Sequence, residues 1–436
     1  MLPLPEYRKS PQLAAPQLPS TNNPQPVKAS RFPEPSYRYP PARLLPTSIP
    51  AAVASDRLRS TPVPLTIEER GRAESGFRAV NTQSWFDDSI RYALKVGASD
   101  LHLTLNVIDV RLTARLRIDG IMREFAVIHG NDARTIMGRF KAAAELSSGG
   151  SFVPEESLYS ILVDGEVRKA RVALFRDHNA GDALVLRLPP TGELLSLDQL
   201  GFGESNLTLF HTLLRAANRM VLIAGPMGSG KTTTAHAALK QVTTSERIVW
   251  SVEDPVERML PGVVQLEVDE ANGAGFSTLL PVLVRSDYDT LFLGEIRDKG
   301  TAAAGVRQSK AGRQVITTIH ANDNVTALLR LIELAEDSPL SCMDAVRGVV
   351  SQRLMRRLNP QWDGETADQK YRGRVPVHEV LVMNDELTEA VMRDQPIREI
   401  KKIAAAASEN TFERDAMRLM ESGITDQAEV NRVLGE

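Results

Sequence analysis

The chain of 436 residues has one cysteine, Cys342. A disulfide framework needs pairs and a cysteine-rich zinc site needs several thiolates, so one chain can build neither. This scarcity suits a reducing compartment, the cytoplasm. No run of about 18 apolar residues occurs, so no membrane-spanning helix is expected. The opening MLPLPEYRKS has no basic stretch followed by an apolar one, so no signal peptide is expected. An excess of one charge sign is also lacking. The 52 basic and 55 acidic side chains leave a net charge of −3, which excludes a uniformly basic nucleic-acid binder. The chain does have bulk, with 42% hydrophobic residues over a length that suffices for two globular cores and a tail.

Proline is unevenly spread. Fifteen of the 26 prolines lie in residues 1–64, with eight basic and three acidic side chains. That makes this segment about +5 and the remainder about −8. Proline removes backbone donors and blocks helices, and few apolar residues are left to bury. Residues 1–78 are therefore expected to form a basic, proline-rich, disordered tail. It reads as a flexible tether or as a docking arm for a partner or an anionic surface.

Near residue 80 the pattern changes. Trp85, Phe86, Ile90 and Leu94 recur at helical spacing, and Gly97 offers a stop. LHLTL, VIDVRLTARLRI, IMREF and DALVLRL read as strands. Asp119-Gly120 and Asp164-Gly165 are hairpin signals, the second joining SLYSILV to EVRKARVALF. Residues 131–146 read as a helix. A small α+β domain over 79–188 follows, with a linker at 189–199. From residue 200 to 436 short apolar or β-branched runs alternate with helical stretches. MVLIA (220–224), RIVWSV (247–252), TLFLG (290–294) and RQVITTI (313–319) suit strands buried on both faces of a parallel sheet. Helices are expected at 232–243 and 324–335. From about 338 onward the pattern reads as mainly helical, with one strand near VPVHEVLV. The fold class is α/β, a phosphate-loop nucleotide-binding domain beside the smaller α+β domain.

Gly225-Pro226-Met227-Gly228-Ser229-Gly230-Lys231-Thr232 matches G-x-x-x-x-G-K-S/T in full, between a predicted strand and a predicted helix. Glycines let the backbone wrap a phosphate with its N–H groups inward. Lys231 supplies a positive charge to the β- and γ-phosphates, and the Thr232 hydroxyl suits Mg2+. The helix that starts there, with Thr233 in its first turn, adds its positive end. ATP and magnesium are the expected cofactors. Two acidic clusters follow later strands, one with Glu253 and Asp254 before Pro255, the other with Glu295 and Asp298. At the C-terminal edge of an open α/β sheet such carboxylates can hold magnesium or polarise an attacking water. His320 ends the next strand at the same edge and is a candidate γ-phosphate sensor.

Taken together, these segments resemble the motor ATPases of type II secretion, type IV pili and type IV secretion. The loop at 225–232 is similar to that family's Walker A. SVEDPVER (251–258) is similar to its aspartate box, LVRSDYDTLFLGEIRD (283–298) to its Walker B and TTIHAND (317–323) to its histidine box. VVSQRLMRRL (349–358) resembles the Gln-Arg-Leu segment that follows. GASDLHL (97–103), LRIDGIM (116–122) and RVALFRDHNAGDALVLRL (171–188) resemble the family's N-terminal domain. The resemblance implies a RecA-like ATPase domain behind a PAS-like one. It implies Glu295 as catalytic carboxylate and Glu253 and Asp254 as ligands of magnesium and water. The magnesium set is then Thr232, Glu253 and Glu295. It places His320 at the nucleotide, with Arg117, Arg171 and Arg187 reaching it from the smaller domain.

Three departures stand out. The histidine box opens with Gly312-Arg313 where the family has Gly-His. Walker B has Asp287-Tyr288-Asp289 where Asp-Pro-Asp is usual. No cysteine occurs in LNPQWDGETADQKYRGRVP (358–376), where extension and type II members often carry a four-cysteine zinc module. The resemblance implies a hexamer that turns ATP hydrolysis into domain motion. The machine served would be type IV secretion, conjugative transfer or type IV pilus assembly. Its partners would be inner-membrane platform proteins, and its place the cytoplasmic face of a bacterial inner membrane. Two other readings stay open: a nucleic-acid translocase on the same core, disfavoured by the acidic balance, and a nucleotide-binding scaffold ring with weak hydrolysis.

Overall fold

The computed structural model describes residues 84–147, 152–163, 166–216, 218–365, 369–408 and 411–435. The proline-rich stretch 1–78 and the Asp164-Gly165 turn lie outside these residues.

The first part begins with α1 (Trp85–Lys95), whose buried Trp85, Ile90 and Ala93 repeat at helical spacing. β1 (Ala98–Asn106), β2 (Arg111–Ile118) and β3 (Ile121–His129) follow, then α2 (Asn131–Ala143), β4 (Glu155–Val163), β5 (Glu166–Arg176) and β6 (Asp182–Arg187). The strands form one sheet in the order β3-β2-β1-β6-β5-β4, antiparallel throughout. Side chains alternate between faces along a strand. Leu101, Leu103, Leu112, Leu116, Leu184 and Leu186 thus share one face, which packs with Trp85, Ile136, Met137 and Phe140 of the helices. The intervening positions fall on the other face. There the register aligns Arg117 with Asp100, Asp100 with Arg187, and Arg187 with Arg171. One row of three arginines and one aspartate therefore crosses four strands.

The second part has β7 (Arg219–Ala224), β8 (Val249–Glu253), β9 (Val263–Glu267), β10 (Thr290–Ile296), β11 (Gln314–Ile319), β12 (Val346–Leu358) and β13 (Tyr371–Val382). The order is β13-β12-β7-β11-β10-β8-β9, parallel except for the antiparallel β12–β13 pair. Both faces are covered, as its apolar strands require. Val221 and Ile223 of β7 pack with α3 (Glu204–Arg215) and α4 (Lys231–Val242). Met220 and Leu222 face the other way, toward α5 (Phe276–Leu283), α6 (Lys299–Lys310), α7 (Asn324–Ala335), α8 (Pro339–Ala345), α9 (Asp385–Met392) and α10 (Ile397–Ala407). α11 (Phe412–Glu421) and α12 (Gln427–Leu434) close a smaller core on Met355, Val375 and Val377.

The four strands expected between 219 and 319 form, as do both helices. The region after 338 is mainly helical, as expected, and the strand expected near VPVHEVLV is β13; the difference is β12, a second long strand that pairs with β13 and joins it to β7. The VRGVV start of β12 is enclosed between β7 and β13. Its arginine-rich end is neutralised from outside, where Arg356 pairs with the fully buried Glu429 of α12 at 2.6 Å. A strand dense in arginine carries no strand signal until that distant partner is known. The two sheets touch through Lys169 with Glu267, Arg171 with Asp254, and the Asp119 carboxylate, which accepts from the Gly373 N–H at 2.8 Å.

Candidate functional site

The phosphate-binding loop lies between β7 and α4, at the C-terminal ends of the parallel strands. Gly230 caps α4 in the left-handed region (φ 87°) with no side chain capping the helix. The first-turn N–H groups thus gain no side-chain acceptor at the cap, an arrangement made for an anion. Gly225 allows close approach, since a Cβ there would sit 2.5 Å from the backbone oxygen of Gln352. Pro226, Met227, Gly228 and Thr233 are exposed, Thr232 is half-buried and Ser229 is buried.

Lys231 is 8% exposed. Its ammonium donates to the carbonyls of Gly225 (3.0 Å) and Pro226 (3.1 Å) and lies 3.2 Å from Nδ1 of His320. The other ring nitrogen of His320 is 2.9 Å from a Glu295 oxygen. Arg297 Nε donates to the second Glu295 oxygen at 2.9 Å, and Arg297 Nη1 donates to Asp254 at 3.0 Å. Arg171, from the first sheet, reaches the other Asp254 oxygen at 3.5 Å. Lys231, His320, Glu295, Arg297, Asp254 and Arg171 thus form one unbroken polar chain. It runs from the phosphate loop to the first sheet along the ligand edge.

Burial pulls the His320 pKa below its ordinary value; Lys231 pulls it lower and Glu295 acts against both. The imidazole is therefore neutral at pH 7 and able to accept from Lys231 while donating to Glu295. Burial also brings the Lys231 ammonium down to about 8, with Glu295 holding it up and Arg187 pressing it lower. Phosphate binding restabilises the charged form. Binding therefore takes up a proton above pH 8, and affinity is expected to fall about tenfold per pH unit as pH rises through that value. Nucleotide titrations at pH 7, 8 and 9 check this, and a flat profile would contradict it. For folding the sign is opposite. Between about 8 and the unfolded value of 10.5 the unfolded chain holds more protons at this group, so stability gains as pH rises there.

The structure separates several residues that the sequence groups together. Glu253 does not join the open chain. It is 3% exposed, and its carboxylate is taken by Ser251 (2.7 Å), Gln265 (3.0 Å) and His236 of α4 (3.3 Å). Burial raises its pKa, but these donors outweigh that and leave it lowered. In this structure Glu253 is an ionised anchor under α4. His236 and Gln265 carried no sequence signal, because each is defined only by Glu253. Arg117 pairs with Asp100 (3.7 Å) and donates to the Gly120 carbonyl (3.2 Å). Arg187 is near enough to act on Lys231. Asp298 caps α6 by accepting from the Thr301 N–H at 2.9 Å.

Arg313 and Tyr288, two of the departures from the family pattern, prove to be partners. The Arg313 guanidinium stacks 4.2 Å from the Tyr288 ring centroid and donates to the carbonyls of Tyr288 and, at 3.0 Å, Ser286. Both residues sit at the starts of β10 and β11, whereas Glu295 and His320 sit at the ends. The six residues of β11 place them on the order of 20 Å from the site.

The donor set suits a magnesium nucleotide. The Thr232 hydroxyl and the Glu295 carboxylate are the hard oxygen donors that such a group would take. No cluster of three or more His, Cys, Asp or Glu able to hold a metal occurs among the described residues. Magnesium needs none, because it takes one or two protein oxygens together with phosphate oxygens and water.

Loop, parallel sheet and edge carboxylates define a phosphate-loop ATPase of α/β type. The family model described as "Type II/IV secretion system protein" matches residues 78–432, and the chain belongs to that family, as a secretion or pilus motor ATPase. It is 32% identical over 372 residues to the type II secretion system protein E of Pectobacterium carotovorum, covering 79% of this chain and 74% of that one. It is 30% identical over 374 residues to the type II secretion system ATPase E of Vibrio cholerae, covering 79% of this chain and 73% of that one. Among solved structures, the Legionella pneumophila ATPase DotB aligns with a TM-score of 0.63 at 17% identity over 82% of this chain and 97% of that one. The pilus retraction motor PilT with bound ADP aligns at 0.55 and 20% identity, over 79% and 95%. These two show the shared fold.

Proposed function

We propose that the chain hydrolyses magnesium-bound ATP in a ring of six copies. Hydrolysis moves the part at 79–188 against the part at 200–436 across the 189–199 linker, and this motion powers an inner-membrane platform. The observation that carries the reading is the polar chain from Lys231 to Arg171, which links the phosphate loop to the first sheet through the carboxylate at the hydrolytic position.

In this reading Lys231 and the N–H groups of residues 228–232 hold the β- and γ-phosphates. Thr232 and Glu295 would hold magnesium, which would offset the phosphate charge. Glu295 orients the attacking water and takes its proton. His320 keeps Lys231 and Glu295 in register. Arg171, now on Asp254, is within the same network and can trade its carboxylate for the γ-phosphate, so that the first sheet follows the state of the nucleotide. Arg187 and Arg117 stand behind it in the row set by Asp100.

In this reading the platform is that of type IV secretion, conjugative transfer or type IV pilus assembly; the cysteine-free stretch 358–376 disfavours the extension and type II members that carry a four-cysteine module, while the relatives named above are by their names type II secretion proteins. No helix among the described residues is long and apolar enough to cross a membrane. Attachment at the inner face of the inner membrane would then come through platform proteins. Steady-state phosphate release, with solution mass measured with and without magnesium and ATP, tests the reading. Turnover together with a six-copy species supports it; a monomer in both conditions removes the ring.

A further inference from the structure

We infer that Gln352 is a positioning residue of the nucleotide site, a brace that sets the shape of the phosphate loop. The inference rests on the nucleotide reading above and deepens it. When the loop turns its N–H groups toward phosphate, its carbonyls face the protein and must find donors there. Ser229 is 3% exposed, so water does not serve its carbonyl. The amide of Gln352 does, donating from Nε2 at 2.5 Å. Gln352 is itself 1% exposed, on β12, the strand beside β7.

Contact with the loop is closer than this one bond. The backbone oxygen of Gln352 lies 2.5 Å from where a Cβ on Gly225 would be, and its Nε2 lies 3.1 Å from the same point on Gly230. Both invariant glycines of the G-x-x-x-x-G-K-S/T pattern are thus packed against this one residue. Side chains alternate along β12, and the neighbouring Arg353 donates instead to the carbonyls of Asn322 (3.2 Å), two residues after His320, and Val433 (2.7 Å), in α12. The pair ties phosphate loop, histidine loop and C-terminal helix to one strand. Gln352 carries no charge and reaches no phosphate itself. Its contribution is equal for bound nucleotide and transition state, so it is felt in binding and not in the chemical step.

The test uses the full chain and a fluorescent ADP analogue with magnesium, beside phosphate release and thermal melting. Gln352→Leu removes the donor while keeping bulk. Nucleotide affinity is expected to fall, and KM for ATP to rise, by about tenfold or more, with kcat changed by less than about threefold. Gln352→Glu adds a signature that general damage to the fold does not produce. Ionised, its carboxylate has no proton for the Ser229 carbonyl; protonated, it donates again. Its affinity relative to wild type should recover as pH falls through the carboxyl pKa, while that of Gln352→Leu stays constant. Should Gln352→Leu fail to fold, the pH recovery of Gln352→Glu decides alone. Wild-type affinity in Gln352→Leu, or a Gln352→Glu deficit unaffected by pH, overturns the brace and leaves the nucleotide site standing. A wild-type chain that binds no nucleotide overturns both.

Discussion

Lys231→Ala is expected to lower ATP turnover to about a thousandth of wild type or less, with the fold retained. Lys231 is 8% exposed and its ammonium is close to the loop carbonyls, where a charge acts through little water. A preorganised charge in such a place is worth on the order of 3–4 kcal/mol to a developing phosphoryl charge, and the substitution also removes ground-state phosphate binding. The folded state loses little. Two carbonyls lose a donor, but a partly desolvated charge goes as well, and its lowered pKa shows that burial had been working against it. A melting midpoint within a few degrees of wild type is expected. Phosphate release and a melting curve on the same preparation check both halves. Near-normal turnover, in material free of host ATPases, would falsify the assignment of the loop.

Glu295→Gln is expected to act on the chemical step. Removing the base that orients water should reduce kcat by about 100- to 1000-fold, with nucleotide affinity at pH 7 within about threefold of wild type. The geometry adds a second expectation. Glu295 is the main group holding the Lys231 pKa up against burial, and it acts on His320 in the same direction. Without its charge both pKa values fall further. The alkaline decline in nucleotide affinity, expected at about 8 in wild type, should then begin at lower pH. Single-turnover hydrolysis and binding titrations across pH separate the two effects. A variant with reduced kcat and an unshifted binding profile would show that Glu295 does not act on Lys231 through the observed chain.

Much of the fold was legible because the relevant signals are local. A β-branched apolar run is a buried strand whichever helices cover it, and MVLIA, TLFLG and QVITTI became β7, β10 and β11. Asp119-Gly120 turned where its dipeptide prefers to turn, with both φ values positive. The phosphate loop is the extreme case. Anion binding there uses backbone N–H groups and one adjacent lysine, so eight consecutive residues specify nearly the whole cradle.

Depth and partnership were decided elsewhere. Glu253 and Asp254 are adjacent and chemically alike, and alternation along β8 sends the first under α4 to His236 while the second meets Arg171 and Arg297. Arg117, Arg171 and Arg187 look equivalent in sequence. Sheet register sets them in one row, where Arg117 and Arg187 pair with Asp100 and Arg171 with Asp254. Arg313 and Tyr288 each look like a loss when compared singly with the family pattern, and become one stacked pair when β10 and β11 lie side by side. The nucleotide loop, the strand and helix rhythm and the family could be read along the chain, since these depend on sequence neighbours. The tertiary structure alone decided which carboxylate is open, which arginine is near and what holds the loop in shape. Those properties depend on desolvation and on contacts between residues up to 123 positions apart, as from Ser229 to Gln352.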